Sequence, residues 1–271
     1  MISEADFTFV AREVKARSGA ILGPDTSVLA ENRLTPLSRR EGFNSVGEMI
    51  QAAKIQTDGK LWAAVADALL QSETRFFRDR DVFAALRDKA LPDLWARRGR
   101  PLRIWSAGCA TGQEAYSLAM LIEDLRAEGL PGAEIVATDI SARLLDKARS
   151  GLYTQFEVQR GLPIRKLIAH FEKAGDLWRI SDRMRASVQF EQHNLLQSAT
   201  QFGPFDLIAC RNVLTSFDGP TRIEALGLIA AALAPDGMLI LGQNENLPDG
   251  ARGFVRASAG YAKATNAVQA A

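Results

Sequence analysis

Gly108, Gly112 and Glu114 stand within seven residues, directly after an apolar run. Such a group can receive a ligand against bare backbone. Glycine has no Cβ, so a cofactor can approach closely, and the carboxylate that follows can accept hydrogen bonds. The spacing narrows the choice of ligand. The dinucleotide fingerprint G-x-G-x-x-G is not matched. The phosphate loop G-x-x-x-x-G-K-[ST] fails too, because Gln113 follows Gly112 where that loop has lysine. A looser glycine turn trailed by an acid suits a cofactor with no phosphate to cradle. S-adenosylmethionine, with its sulfonium, amino group and carboxylate, is such a cofactor. A plain tight turn between a strand and a helix uses the same two glycines, and stays open.

A second acid adds to this. Glu134-Ile-Val-Ala-Thr-Asp139 reads as a strand ending in a carboxylate. In nucleotide-binding βαβ units an acid at the end of the second strand takes the ribose hydroxyls, roughly 20 residues past the glycine turn. Asp139 lies 27 residues past Gly112. It is also placed to cap a helix from Ser141 onward, and the two roles are not exclusive.

The elements that must carry these residues follow from periodicity. Leu102, Ile104 and Trp105 read as a buried strand, and Ala115, Leu118, Ala119 and Ile122 mark one face of the helix after it. Leu144, Leu145 and Ala148 mark a helix after Asp139. Phe205–Cys210 reads as a central strand ending at Arg211-Asn212. Leu226–Leu233 reads as a helix closed by Pro235-Asp236-Gly237, Met238–Leu241 as a strand, and Phe254–Ala262 as an edge strand. Strands alternating with helices predict an α/β fold with a mostly parallel sheet. Ligands bind such sheets at the carboxyl ends of the strands, where Gly108, Glu114, Asp139, Asn194 and Asn212 all fall. Residues 152 to about 188 break the alternation and predict an inserted subdomain. Ile164, Leu167, Ile168 and Phe171 suggest a short helix there, and Leu177–Ile180 and Val188–Phe190 suggest strands around a polar turn.

Residues 1–71 read as helices throughout. Phe7, Val10, Ala11 and Val14 share a face of a helix that stops at Gly19. A second helix carries Val28, Leu29 and Leu34 among Arg33, Arg39 and Arg40. Ser45 and Glu48 form a capping box for a third, and Leu61, Val65 and Leu69 mark a fourth. The basic cluster is a candidate docking face, and equally an ordinary solvated one. In Thr74-Arg75-Phe76-Phe77-Arg78 the paired phenylalanines are expected to anchor the segment, leaving an arginine free to reach a cleft.

Composition bounds the rest. Hydrophobic residues make up 47% of the 271, enough for a sizeable core. The net charge of +1 gives no ground for non-specific nucleic-acid binding. No apolar run reaches membrane-spanning length, and the first residues do not read as a signal peptide. Cys109 and Cys210 are expected as buried thiols in a reducing cytoplasm. His170 and His193 lack ligand-like neighbours, so no metal site is expected.

Taken in order, these motifs resemble the CheR family, the chemotaxis-receptor glutamate O-methyltransferases. The resemblance rests on Thr74–Arg78, Ser106–Glu114, Ala137–Ile140, Asn194–Leu196, Phe205–Leu214, Pro235–Leu239 and Asn244-Glu245-Asn246. It implies a small N-terminal helical domain, residues 1–71, that meets the cytoplasmic helical domain of methyl-accepting chemoreceptors. It implies a Rossmann-like S-adenosylmethionine methyltransferase domain, residues 72–271, with the inserted β-subdomain at about 152–188. The implied reaction moves the methyl group of S-adenosyl-L-methionine to receptor glutamates, leaving S-adenosyl-L-homocysteine. The implied cofactor residues are Ser72 (Asn is usual), Thr74, Arg78, Glu114, Asp139, Asn194, Leu195, Arg211 and Asn212. Arg78 is also expected to orient the reacting carboxylate. A cytoplasmic monomer is expected, with no nucleic acid and no membrane insertion.

Besides Ser72 and a short turn between the subdomain strands, two positions depart from the family. Val213-Leu214-Thr215-Ser216-Phe217 carries Ser216 where a tyrosine is usual, so Ser216 takes that place in the catalytic set. Pro36 interrupts the arginine-bearing helix, with Thr35-Pro36 as a candidate start of a new turn. Both motivate an alternative, a cofactor-binding signalling or scaffold module with little or no turnover.

Overall fold

The computed structural model describes residues 2–55, 59–70, 72–257 and 259–264. The chain divides into two compact units, residues 1–71 with 216–221, and residues 72–215 with 222–271.

The smaller unit is a cluster of helices. Ser3 caps α1 (Glu4–Ser18), accepting 3.1 Å from the Asp6 amide, and Gly19 ends it in the left-handed region at φ 77°. Phe7, Val10 and Val14 are buried with apolar residues of α2 (Ser27–Arg40), α3 (Val46–Ile55) and α4 (Lys60–Leu69). The helix α2 runs unbroken through Pro36, so no new turn starts there. Proline removes the donor for the Asn32 carbonyl. Both residues lie on the exposed face, where water can serve that carbonyl. Arg33 leaves the expected basic cluster. Its Nη1 donates 3.0 Å to Leu69 O, at the C-terminal end of α4, where helix carbonyls lack partners. Arg39 and Arg40 remain exposed. Residues 216–221, expected in the larger domain, group with these helices. Ala20 and Phe217 form an antiparallel bridge, Ile21 N–H donates 2.9 Å to Ser216 O, and Lys15 pairs with Asp218 at 2.5 Å.

The larger unit opens with α5 (Arg80–Ala85) and α6 (Leu91–Arg98), joined through a π-helical turn. Its first strand, β1 (Leu102–Ala107), leads through the glycine turn to α7 (Gln113–Ala127); β2 (Ala133–Asp139) then leads to α8 (Ala142–Ser150). The inserted segment holds β3 (Leu152–Thr154), α9 (Gln155–Gln159), α10 (Ile164–His170), β4 (Phe171–Ala174), β5 (Leu177–Ile180) and α11 (Asp182–Ala186). There follow β6 (Val188–Gln192), β7 (Phe205–Ala209), α12 (Gly219–Ala232), β8 (Leu233–Ile240), β9 (Phe254–Ala257) and β10 (Gly260–Lys263).

Seven strands form the main sheet in the order β6-β2-β1-β7-β8-β10-β9. The first five are parallel; β10 runs antiparallel to β8, and β9 to β10. The order reverses between β1 and β7, the place where open α/β sheets form a crevice. Both faces of β1 are buried, as a parallel strand requires. Leu102 and Ile104 join the large core with Tyr116 and Leu118, while Trp105, one residue out of phase, stacks on Phe205.

Four expectations change. Phe171 begins β4 instead of completing the helix, and β3-β5-β4 form a separate antiparallel sheet. The segment between β5 and β6 is a helix, not a polar turn, and β6 pairs with β2 in the main sheet. Period-two burial is the same in either sheet, so sequence alone could not assign β6. In place of one strand over 254–262 there are two, Phe254–Ala257 and Gly260–Lys263, paired antiparallel. Pro235-Asp236-Gly237 lies inside β8, where Asp236 takes φ 56° and the register with β7 shifts.

Candidate functional site

The turn after β1 is built by close packing. Gly108 and Cys109 amides donate to Thr138 O at 2.8 and 2.9 Å, which ties the turn to β2. Both glycines lie in the left-handed region, φ 78° and 88°. A Cβ at Gly108 would collide with the Val213 side chain, and one at Gly112 would stand 2.9 Å from the Ala148 Cβ. These glycines are therefore demanded by the protein's own neighbours. Ala110, at φ 49°, turns its amide onto Asp139 Oδ2 at 2.8 Å.

Asp139 sits at the end of β2 with each carboxylate oxygen steadied by one backbone donor, the second being Ser141 N–H on Oδ1 at 3.0 Å. Asp139 is not the cap of α8; Ser141 is, accepting from Leu144 N–H at 3.1 Å. Next to this strand end, His193 N–H donates to Asp139 O at 3.0 Å, which brings Asn194 and the buried Leu195 alongside. Asn194 Oδ1 accepts from the Leu196 amide at 3.0 Å.

On the β7 side, Arg211 turns inward and is only 2% exposed. Its Nη1 lies 3.1 Å from Glu114 Oε2, and its Nη2 donates 2.8 Å to Asp79 Oδ2 and 2.6 Å to Arg78 O. The other Glu114 oxygen accepts from Ser106 Oγ at 2.8 Å. Burial pushes the Glu114 carboxyl above its usual range, with the Arg211 guanidinium opposing it. Three expected site residues, Glu114, Arg211 and Arg78, are thus joined directly, but largely to one another. Asn212 follows at φ 60°, its amide 2.7 Å from Glu245 Oε2.

The Thr74–Arg78 segment is anchored as the paired phenylalanines suggested. Phe76 is fully buried, edge-on to Tyr153 and Phe171. The Phe77 amide donates to Ser117 Oγ at 2.9 Å. Arg78 is half-buried, with Nη1 donating 3.1 Å to Glu73 O. Thr74 is half-buried and Ser72 exposed. Ser216 is exposed and belongs to the helical unit.

Asp79, Ser106, Tyr153 and Glu245 were not singled out as site residues. Tyr153 Oη donates 2.8 Å to Thr111 O, linking the inserted sheet to the glycine turn. Asp79 had one signal, an acid directly after Arg78. Nothing local names its partner, 132 residues away.

The chemistry of this edge is acceptor-rich. Asp139 contributes a carboxylate, and the buried Asn212 Oδ1 and Glu245 Oε1 have no donor among the described residues. Such acceptors fit the hydroxyls and ammonium of S-adenosylmethionine. Burial, reinforced by nearby carboxylates, holds the Cys109 and Cys210 thiols well above their ordinary range. Neither supplies a thiolate nucleophile at neutral pH. Among the described residues there is no metal-ligating cluster, and no helix is long and apolar enough to cross a membrane.

Residues 72–261 match the family described as CheR methyltransferase, SAM binding domain. The chain is 38% identical over 256 residues to Chemotaxis protein methyltransferase 1 of Pseudomonas aeruginosa, covering 91% of this chain and 93% of that protein. It is 36% identical over 250 residues to Chemotaxis protein methyltransferase 1 of Vibrio cholerae, covering 91% and 90%. It is 32% identical over 250 residues to the Chemotaxis protein methyltransferase of Escherichia coli, covering 90% and 85%.

Proposed function

The chain belongs to the CheR family of S-adenosylmethionine-dependent methyltransferases, and from that premise we propose that it methylates glutamate side chains of chemoreceptors during chemotactic adaptation. The names of its relatives support the pathway. The observation that carries the cofactor part is Asp139, its carboxylate held by two backbone amides at the end of β2, the place where βαβ nucleotide folds keep the ribose-binding acid. In this reading Asp139 receives the ribose hydroxyls, and Asn194 and Leu195 border the same end of the sheet. Asn212 Oδ1 receives the amino group. Ser72 and Thr74 belong to the same rim, and Glu114 and Arg211 hold it in shape.

When bound, S-adenosylmethionine supplies an electrophilic methyl on its sulfonium. A glutamate with a pKa of about 4.3 is already ionised at neutral pH, so no general base is needed. The protein has to align the carboxylate and exclude water. Arg78 is the residue proposed for that alignment. One of its nitrogens is occupied by Glu73 O, and the others remain to steer a carboxylate without clasping it from both sides. The helical unit is the proposed contact for the receptor's helical domain, with the exposed Arg39 and Arg40 available for it. Ser216 stays a catalytic candidate from its place in the family motif alone, and unchanged turnover in Ser216→Ala would remove it.

Two experiments test the reading. Calorimetric titration of S-adenosylhomocysteine should show binding that Asp139→Ala weakens at least about tenfold, as losing charge-assisted hydrogen bonds implies. Incubation with chemoreceptor and labelled S-adenosylmethionine should yield base-labile methyl esters. Equal binding by Asp139→Ala would remove the proposed ribose site, and no labile ester would remove the substrate assignment.

A further inference from the structure

Glu245, in the closing Asn244-Glu245-Asn246 motif, has no role in the reading above. Its side chain is nonetheless drawn into the edge of the sheet. Oε2 accepts 2.7 Å from the Asn212 amide and 2.7 Å from the Gly242 amide. One oxygen thus joins the chain just beyond the carboxyl ends of two neighbouring strands, β7 and β8.

Asn212 is a residue that needs holding. Its φ of 60° is left-handed, a conformation disfavoured for L-residues in general and less so for asparagine. On either side of this bend, Arg211 reaches Glu114 and Val213 covers Gly108. Gly242 is shaped to the pair, since a Cβ there would stand 2.8 Å from both Asn212 Nδ2 and Glu245 Oε2. The side-chain acceptor of Asn212, Oδ1, is buried and has no donor among the described residues.

We propose that Glu245 is a positioning residue. By clasping the Asn212 and Gly242 amides, it holds the Asn212 carbonyl oriented for the cofactor's ammonium. This rests on the cofactor site proposed above, and it adds a residue that acts only through Asn212. Glutamine at 245 retains one oxygen able to take both amides, whereas alanine retains none.

S-adenosylhomocysteine is titrated into wild type, Asp139→Ala, Glu245→Ala and Glu245→Gln, with a thermal melt of each. The expected result is binding weakened about 10–100-fold in Glu245→Ala, the loss of one or two charge-assisted hydrogen bonds. Glu245→Gln should bind within about threefold of wild type, a difference under 1 kcal/mol. Binding by Glu245→Ala within about twofold of wild type, beside a weakened Asp139→Ala, overturns this inference alone. Equal losses in Glu245→Ala and Glu245→Gln overturn it in favour of a direct effect of the charge. Wild type that binds nothing overturns the cofactor site and this inference together. If Glu245→Ala does not fold, Gly242→Ala decides, because its Cβ drives the two side chains apart while keeping the carboxylate. Weakened binding there supports the clasp, and wild-type binding overturns it.

Discussion

Glu114 Oε2 and Arg211 Nη1 meet at 3.1 Å, although 97 residues separate them in the chain. This pair, extended by Arg211 Nη2 to Asp79 Oδ2, connects α7, the exit of β7 and the turn after Phe77. All three side chains are largely withdrawn from water. Removing one partner of such a pair strands the other charges and costs about 3–5 kcal/mol. Arg211→Met should lose that amount in urea denaturation. Arg211→Met combined with Glu114→Gln should lose less than the sum of the two single changes. Strict additivity would mean that the two residues do not act on each other.

Gly112 and Gly42 are both left-handed, at φ 88° and 84°, but only Gly112 is crowded. Alanine at either position costs about 1–2 kcal/mol for the backbone. At 112 the added methyl also meets Ala148 and Phe190, and overpacking adds about 1–3 kcal/mol. Gly112→Ala should therefore destabilise the protein markedly more than Gly42→Ala. Equal losses would show that conformation alone, not contact with α8, calls for glycine at 112.

Tyr153 links the inserted sheet to the glycine turn through one hydrogen bond, 2.8 Å to Thr111 O. Tyr153→Phe keeps the ring among Phe76, Tyr116 and Phe171. It should cost about 0.5–1.5 kcal/mol for the lost bond. Affinity for S-adenosylhomocysteine should fall with it if the turn shapes the site. A stability loss with unchanged affinity would assign the tyrosine to folding only.

Both histidines are buried, and burial holds each below its ordinary 6.5. Glu123, with a carboxylate oxygen 3.8 Å from His170 Nδ1, opposes the effect without reversing it. As pH falls past 6.5, the unfolded chain takes up protons that the folded chain refuses. Stability is therefore full above that pH and is lost as pH drops toward the depressed folded values. The slope is at most about 1.4 kcal/mol per pH unit for each histidine. Urea midpoints measured between pH 7.5 and 5.5 (about one unit either side of the histidine range) should fall with acid. Replacing both histidines with glutamine should flatten the trend, and an unchanged slope would assign it to other groups.

Much of the architecture was legible in local pattern. The strand, glycine turn and helix from Leu102 to Ile122 follow from apolar periodicity and two glycines, and both signals act within a few residues. The same holds for Asp139 at its strand end and for the helix that carries Val10 and Val14. Where local signals were equivocal, the reading slipped. Phe171 suits the end of a helix as well as the start of a strand. Thr35-Pro36 resembles a helix start until exposure of Asn32 and Pro36 makes the missing hydrogen bond tolerable.

The sequence by itself determined which residue types stand at the carboxyl ends of the strands, because that depends on local periodicity and motif spacing. Only the tertiary structure decided what those residues touch. Arg211 is spent on Glu114 and Asp79, Arg33 caps α4, and Val188–Gln192 completes the main sheet. Glu245 reaches back to Asn212. Each of these partnerships joins segments far apart along the chain. They are set by strand order and by the need of buried charges and amides for partners, and no pattern within a single element encodes them.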